Sequence, residues 1–308
     1  MKILSRVGVL TLLLLFSASH AEAQSGASLV CQDVRQRYIV EETRLNQRGL
    51  NFLFFDAAER GCADLVEKFL TLGASISARD RVGNTALLRA ARAGKRRIIT
   101  RLLEEGSAVD HRNLAGSTAL LQAAGANRRA AVKLLLKAGA DPNLANKRGV
   151  TPIMAAAFNG NKGILQLLLD AGADATRIDV TGKSALIYAA GRGFAGVAET
   201  LLTNGVEIDR RGGKDLTALM WAAGHSNDVP AADALKTLEA LLAGGAEVNL
   251  VDDRGRSALM IAAERGHASV VGRLLEAGAD PALRDAEGLT ALQLAGNDQT
   301  HALLAEAR

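Results

Sequence analysis

The sequence of 308 residues repeats a short motif at nearly constant spacing, and this periodicity restricts the possible folds more than any other property. Thr or Ser followed by Ala-Leu, or once by Pro-Ile, begins at positions 85, 118, 151, 184, 217, 257 and 290. The spacing is 33 residues except for one interval of 40, whose seven extra residues, around 225–236, are expected to lie in a loop. A further unit begins at Phe52, 33 residues before Thr85. A fixed period of this size indicates stacked repeat units rather than globular cores.

Each unit has the same internal pattern of small and apolar residues. An alanine pair follows the opening motif at 57–58, 90–91, 123–124, 156–157, 189–190, 222–223 and 262–263. Alanine favours a helix and lets a neighbouring helix approach closely. A second stretch, such as Ile98, Ile99, Leu102 and Leu103, carries apolar residues at helical spacing, and Gly106 follows it. The pattern predicts two short helices in every unit.

The composition agrees with thin layers and excludes one class of partner. The chain has one Trp, two Tyr and seven Phe but 31 Gly, which is few large rings for two conventional cores. Its 37 basic and 33 acidic residues give a net charge of +4, too balanced for a protein that coats nucleic acid. We therefore predict no nucleic-acid partner.

The two helices, the polar turn of the form Asp/Asn-x-x-Gly and the period together resemble the ankyrin repeat family. The resemblance covers residues 52–308. It implies an all-α solenoid with a concave face formed by the first helices and the turn tips. Residues 24–51 carry Val34, Tyr38 and Ile39 among charged residues, and we expect them to form a helical N-terminal cap. The units would be 52–84, 85–117, 118–150, 151–183, 184–216, 217–256 and 257–289, followed by a truncated unit at 290–308.

The N-terminus has the pattern of a signal peptide. Lys2 and Arg6 precede an apolar run at 7–16, which is too short to span a bilayer, and Ala21-Glu22-Ala23 matches a signal-peptidase site. We expect residues 1–23 to be removed after Ala23, which would leave a mature chain that does not insert into the membrane. An uncleaved anchor is the alternative.

Two cysteines, Cys31 in the cap and Cys62 in the first unit, remain after this cleavage. An exported protein occupies a compartment where disulfides persist, so a bond between them is the first interpretation. Two buried free thiols or a redox role are the alternatives.

The chain offers no recognisable catalytic pattern. His111, His225, His267 and His301 lie in different units without metal-ligand spacing, and the sequence contains no H-E-x-x-H, G-x-S-x-G or phosphate-binding G-x-x-x-x-G-K motif. We therefore predict no catalytic residue, metal ligand or cofactor.

The candidate partner-binding residues lie near the middle of the array. Phe158, Tyr188 and Trp221 fall in three successive units on nearly the same face, and aromatic and arginine side chains are the usual hot spots of interfaces. The other candidates are Arg192 and His225, which follow alanine pairs, and Lys147 and Arg148 at a turn tip. The alternative is that Tyr188 and Trp221 fill repeat junctions, and that the charged tips are a solvated edge.

These observations favour an exported, non-catalytic interaction module, periplasmic or secreted, that binds another protein as a monomer. A self-associating envelope scaffold and a secreted effector acting on a host protein are the alternatives.

Overall fold

The computed structural model describes residues 29–307, so the signal peptide predicted at 1–23, its cleavage site and the first residues of the cap lie outside the described residues. Within 29–307 the regular elements are helices, and the single β-type pairing is an isolated bridge between Val251 and Ser257. None of the described helices combines the length and the apolar character needed to cross a membrane.

The helices alternate between an inner and an outer layer. The inner helices are α2 (Gln47–Arg60), α4 (Ala86–Ala93), α6 (Ala119–Gly125), α8 (Pro152–Phe158), α10 (Ala185–Gly191), α12 (Ala218–Ala223) and α14 (Ala258–Arg265). The outer helices are α3 (Ala63–Thr71), α5 (Arg96–Glu104), α7 (Arg129–Lys137), α9 (Lys162–Asp170), α11 (Ala195–Thr203), α13 (Ala231–Ala243) and α15 (Ala268–Glu276). Helix α1 (29–41) precedes them and α16 (Asp298–Glu306) follows.

The repeated motif explains where the inner helices begin and why they stack. The hydroxyl of Thr118 accepts a hydrogen bond from the Leu121 N–H at 3.2 Å, and Ser184 caps α10 in the same way through Ile187 at 3.3 Å. Each inner helix packs against the next, and every alanine of the pairs is fully buried. The predicted all-helical solenoid is therefore confirmed.

The outer helices bury one apolar stripe each. In α5, Ile98, Ile99 and Leu102 are at most 2% exposed. Burying such a side chain stabilises the fold by about 1.5–3 kcal/mol. The stability of the array therefore comes from the same few contacts repeated between neighbouring units.

The turn tips of neighbouring units are joined by backbone hydrogen bonds. The Leu114 N–H donates to the Val82 carbonyl at 3.0 Å, and the Gly213 N–H donates to the Gly182 carbonyl at 3.1 Å. The tips therefore form a hydrogen-bonded edge beside the inner helices.

Gly182 is predicted to tolerate a side chain much less well than Gly172, although both have a positive φ, +76° and +82°. A Cβ on Gly182 would lie 2.1 Å from the Gly213 nitrogen, whereas Gly172 has open space. We expect Gly172→Ala to cost about 1 kcal/mol for the left-handed backbone alone, and Gly182→Ala to cost about 1–3 kcal/mol more because the tips are forced apart. Urea unfolding of both variants measures the difference, and equal midpoints would contradict it.

Three boundaries differ from the sequence interpretation. Helix α2 begins at Gln47, so the division at 51/52 falls inside a helix and the cap is shorter than 24–51. The extra residues of the 40-residue unit lie only partly in a loop, because α13 has 13 residues where the other outer helices have nine. In the truncated unit at 290–308, residues 291–294 form a turn rather than a full inner helix.

Helix α1 covers the open end of the first unit. Cys31 on α1 is joined to Cys62 by a disulfide, with a Cα–Cα distance of 5.6 Å. Tyr38 is 4% exposed, and its ring centroid lies 5.5 Å from that of Phe69 on α3. Apolar contacts and one covalent bond therefore hold the cap on the array.

Candidate functional site

Three aromatic side chains lie on successive inner helices near the middle of the array. Tyr188 on α10 and Trp221 on α12 each occupy the position before the buried alanine pair, and both are half-buried. Phe158 follows the pair on α8 and is 43% exposed. We call Phe158, Tyr188 and Trp221, with the cations Lys183 and Arg192 described next, the aromatic face.

The aromatic rings contact their surroundings in defined geometries. Phe158 and Tyr188 form an edge-to-face pair with centroids 5.7 Å apart and planes at 87°. A Cβ on Gly191 would lie 3.3 Å from the Trp221 ring, so the absence of a side chain there gives the indole its space. Tyr188 and Trp221 thus contribute to packing between units, as the alternative interpretation holds, and still present part of each ring to solvent.

Two cations lie over these rings. The Arg192 guanidinium is 4.6 Å from the Phe158 centroid, and the Lys183 ammonium is 4.7 Å from the Trp221 centroid and 5.9 Å from that of Tyr188. Such cation–π contacts are worth about 0.5–1 kcal/mol at exposed sites. Arg192 forms a long ion pair with Asp228, whose carboxylate oxygen lies 3.9 Å away.

A partly buried hydrogen bond fixes the Tyr188 ring. Its hydroxyl donates to Asp179 at 2.5 Å. Burial, this hydrogen bond and the carboxylate charge raise the pKa of Tyr188 to about 12. Burial would raise the pKa of Asp179, but hydrogen bonds from Tyr188, the Lys183 N–H and Thr181 outweigh it, and that pKa is lowered. Tyr188 is therefore a neutral donor and Asp179 a charged acceptor at neutral pH.

Asp179→Asn is expected to lower the pKa of Tyr188 part of the way from about 12 toward the ordinary 10.0, since burial remains when the negative charge is removed. The turn should survive, because Asn146 at the equivalent position accepts the same type of hydrogen bonds, from the N–H groups of Arg148 at 2.9 Å and Val150 at 3.1 Å. Tyrosinate absorbance in a Tyr38→Phe background reports Tyr188 alone, because the chain has two tyrosines.

The sign of the accompanying stability change follows from the same shift. The folded state holds the Tyr188 proton more tightly than the unfolded state. The stabilisation of the fold that is linked to this raised pKa is therefore complete below pH 10 and is lost as pH rises toward 12. An unchanged Tyr188 titration in the Asp179→Asn protein would contradict this interpretation.

The two basic candidates at the neighbouring turn tip are placed beside the aromatic face. Lys147 and Arg148 are exposed, and neither forms an ion pair within 4 Å in residues 29–307. The positive charge of Arg148 acts on Tyr188, where it opposes the raised pKa. The Arg148 carbonyl also accepts from the Val180 N–H at 3.0 Å, which fixes the tip against the next unit.

The placement of His225 requires a correction, because its side chain is only 5% exposed and does not offer its ring to a partner. The ring stacks on His267 with centroids 3.9 Å apart, and its Nδ1 lies 3.2 Å from the Ala222 carbonyl oxygen. Burial, the charge of His267 and that of Arg265 lower the pKa of His225. His225 lies in the inserted loop after α12, whereas Arg192 at the equivalent position of the preceding unit is exposed.

The sequence interpretation did not include Lys183 and Asp179 among the site residues. Their separation in sequence from Tyr188 and Trp221 does not by itself indicate a contact. Both belong to the turn that precedes α10, and a turn tip lies beside the inner helix that follows it. Among residues 29–307, no group of three or more His, Cys, Asp or Glu side chains could hold a metal ion.

Comparison with known proteins identifies the class to which this fold belongs. Family models described as ankyrin repeats match residues 54–146, 138–212 and 241–295, and a single-repeat model matches 214–253. The chain belongs to the ankyrin repeat family. Ankyrin repeat domains generally serve as protein–protein interaction modules, and their fold is typically a non-catalytic scaffold.

Individual relatives share parts of the chain. An ankyrin repeat-containing protein of Treponema pallidum (strain Nichols) is 51% identical over 65 residues, which are 21% of this chain and 22% of that protein. Protein HOS4 of Saccharomyces cerevisiae is 54% identical over 57 residues, 18% of this chain and 5% of HOS4. The matched segments thus span about a fifth of one relative and about a twentieth of the other.

Solved ankyrin domains match over a larger part. The human ASB11 ankyrin repeat domain has a TM-score of 0.66 and 27% identity, over 73% of this chain and 98% of that domain. The ankyrin repeat domain of Bcl-3 has a TM-score of 0.61 and 28% identity, over 72% of this chain and 99% of that domain.

Proposed function

We propose that this chain is an exported, non-catalytic module that binds another protein through the aromatic face, with Lys147 and Arg148 at its edge. The observation that carries the proposal is where the cations lie. Arg89, by comparison, lies 3.0 Å from Asp80, and Arg256 lies 3.2 Å from Asp285. On the aromatic face both cations lie over rings. Lys183 has no carboxylate oxygen within 4 Å among residues 29–307, and Arg192 has only the long contact to Asp228, so most of their donors remain available to a partner.

The shape of the surface beside Phe158 supports the same proposal. A depression of about 340 Å³ is lined in part by the small residues Gly125, Ala126 and Ala155, the last of which lies one turn before Phe158 on α8. A preformed surface of this kind loses little conformational entropy on binding.

Site-specific photocrosslinking tests the proposal. Phe158→p-benzoylphenylalanine places the probe on the aromatic face, and the same substitution at exposed Gln166 on outer helix α9 is the matched control. We expect a discrete crosslinked product from position 158 in intact cells and none from position 166. Identical products from both positions would contradict the proposal, and a product made of two copies of this chain would favour the self-associating scaffold.

Export to the periplasm is the second part of the proposal. The signal pattern and a disulfide that would persist in an oxidising compartment support it. Fractionation of cells expressing the full chain should recover it in the periplasm as a monomer that begins at Gln24. Recovery in the cytoplasm with residues 1–23 intact would contradict export, and recovery in the medium would favour the secreted effector.

A further inference from the structure

A second surface lies at the N-terminal end of the array, between α2 and the turn at 78–82. It is an open groove of about 920 Å³. We call it the arginine groove and define it by Arg48, Phe52, Arg79, Arg81 and Val82. It belongs to the first unit and to the part of α2 that precedes this unit, whereas the aromatic face occupies the fourth to sixth units. The two surfaces therefore share no residue.

The groove exposes apolar side chains that its surroundings leave uncovered. Phe52 is 58% exposed and Val82 is 55% exposed, although Phe55, one turn further along α2, is buried. The Arg89 guanidinium lies 5.8 Å from the Phe55 centroid. An exposed phenyl ring beside an exposed valine in a concave surface is a suitable seat for a bulky apolar side chain.

The charges around the groove are unbalanced. Its lining contains four arginines and one acidic residue, Asp80. Asp80 is fully engaged, since it accepts from the N–H groups of Val82 at 3.0 Å and Asn84 at 2.9 Å and from Arg89 at 3.0 Å. Arg89 is also paired with Glu59 at 3.1 Å. Asp80 and Arg89 are thus already paired with each other and with neighbouring groups.

The three remaining arginines have no such partner. Arg48, Arg79 and Arg81 are exposed, and none has a carboxylate oxygen within 4 Å among residues 29–307. Arg48 also lies in the first turn of α2, where a positive charge is unfavourable unless an anion neutralises it. Guanidinium groups bind carboxylates through paired hydrogen bonds. The groove therefore presents unpaired guanidinium donors around the exposed apolar side chains of Phe52 and Val82.

The polar side chains at the base of the groove are already used. Gln47 donates to the Gly73 carbonyl at 2.9 Å, and Asn51 accepts from the Ser75 N–H at 2.9 Å. The free recognition groups are therefore guanidiniums and one exposed ring. A single exposed ring provides no row of stacking platforms for successive bases, which disfavours single-stranded nucleic acid as the ligand.

We propose that the arginine groove binds a protein segment in which a bulky apolar side chain is flanked by carboxylates. The apolar side chain packs between Phe52 and Val82, and the carboxylates pair with Arg48, Arg79 and Arg81. This contact is independent of the aromatic face, so one partner could use both surfaces or two partners could use them separately.

Selection from a phage-displayed library of random peptides tests the proposal, with the mature protein as bait and the Phe52→Ala protein as the counter-selection. We expect the recovered peptides to carry Asp or Glu on both sides of one bulky apolar residue. A synthetic copy of the most enriched peptide should bind Phe52→Ala about tenfold more weakly. The double variant Arg79→Glu/Arg81→Glu should weaken it by at least that factor, and added salt should do the same.

Trp221→Ala is the matched control, because it removes an aromatic residue from the other surface and should leave this affinity unchanged. Unchanged helical circular dichroism shows that each variant is folded. Recovery of no peptide that depends on Phe52, or of peptides without acidic enrichment, would overturn the proposal. Tighter binding of an oligodeoxythymidylate than of the peptide, with the same dependence on Phe52, would overturn it as well.

Discussion

Phe158→Ala is expected to weaken partner binding by about 30-fold, a loss of about 2 kcal/mol that is typical of an aromatic hot spot. The substitution removes one ring of the edge-to-face pair with Tyr188 and the ring under Arg192. Because Phe158 is 43% exposed, the fold should change little. The partner captured by photocrosslinking, titrated against wild-type and variant proteins, gives the two affinities.

The matched control for this prediction is Leu72→Ala. Leu72 is similarly exposed, at 48%, but follows outer helix α3, away from the aromatic face. The Leu72→Ala protein should bind the partner as the wild type does. If both variants bind equally well and remain helical, the aromatic face is not the binding surface and its rings serve only to pack the units.

Removal of the disulfide is expected to have the largest effect on stability. The bond joins residues 31 positions apart in sequence, and closing a loop of that size stabilises the fold by roughly 3–4 kcal/mol in the chain-entropy model. Cys31→Ser/Cys62→Ser should therefore lower the unfolding midpoint and release α1 before the rest of the array. Reductant should have the same effect on the wild type and none on the variant.

Hydrogen exchange locates this effect. Amides of α1 should lose protection in the variant, while those of units far from the cap, such as α10, should keep theirs, because each repeat contacts only its neighbours. Equal unfolding midpoints for oxidised and reduced wild-type protein would contradict the prediction.

The sequence is most informative where the repeat is regular. Equivalent positions in stacked units have equivalent neighbours, so the alanine pairs and the apolar stripes could be assigned to buried contacts from their spacing alone. Tyr188 and Trp221 could be placed on one face for the same reason. The extent of their burial could not be predicted, because it depends on small neighbours such as Gly191 and on Lys183, which lies over both rings.

The periodic pattern is least informative around the insertion. The extra residues of the sixth unit include Ala231, Ala232 and Ala234, which favour a helix, and they lengthen α13 instead of forming only a loop. Val229 in the preceding loop is 7% exposed and lies over Gly193 of the unit before. His225 in the same loop stacks on His267 of the next unit. Val229 has no counterpart in the regular units, so no repeat position could indicate its contact.

The insertion has a consequence for how a partner aligns with the array. A strictly periodic surface would offer nearly the same contacts after a shift of one unit, so an extended ligand could bind in several frames. The long α13 and the loop at 224–230 interrupt the period directly after Trp221. A ligand displaced by one unit toward the C-terminus would meet this interruption instead of a regular repeat. The irregular unit would thus exclude this shifted frame for a ligand of the proposed aromatic face.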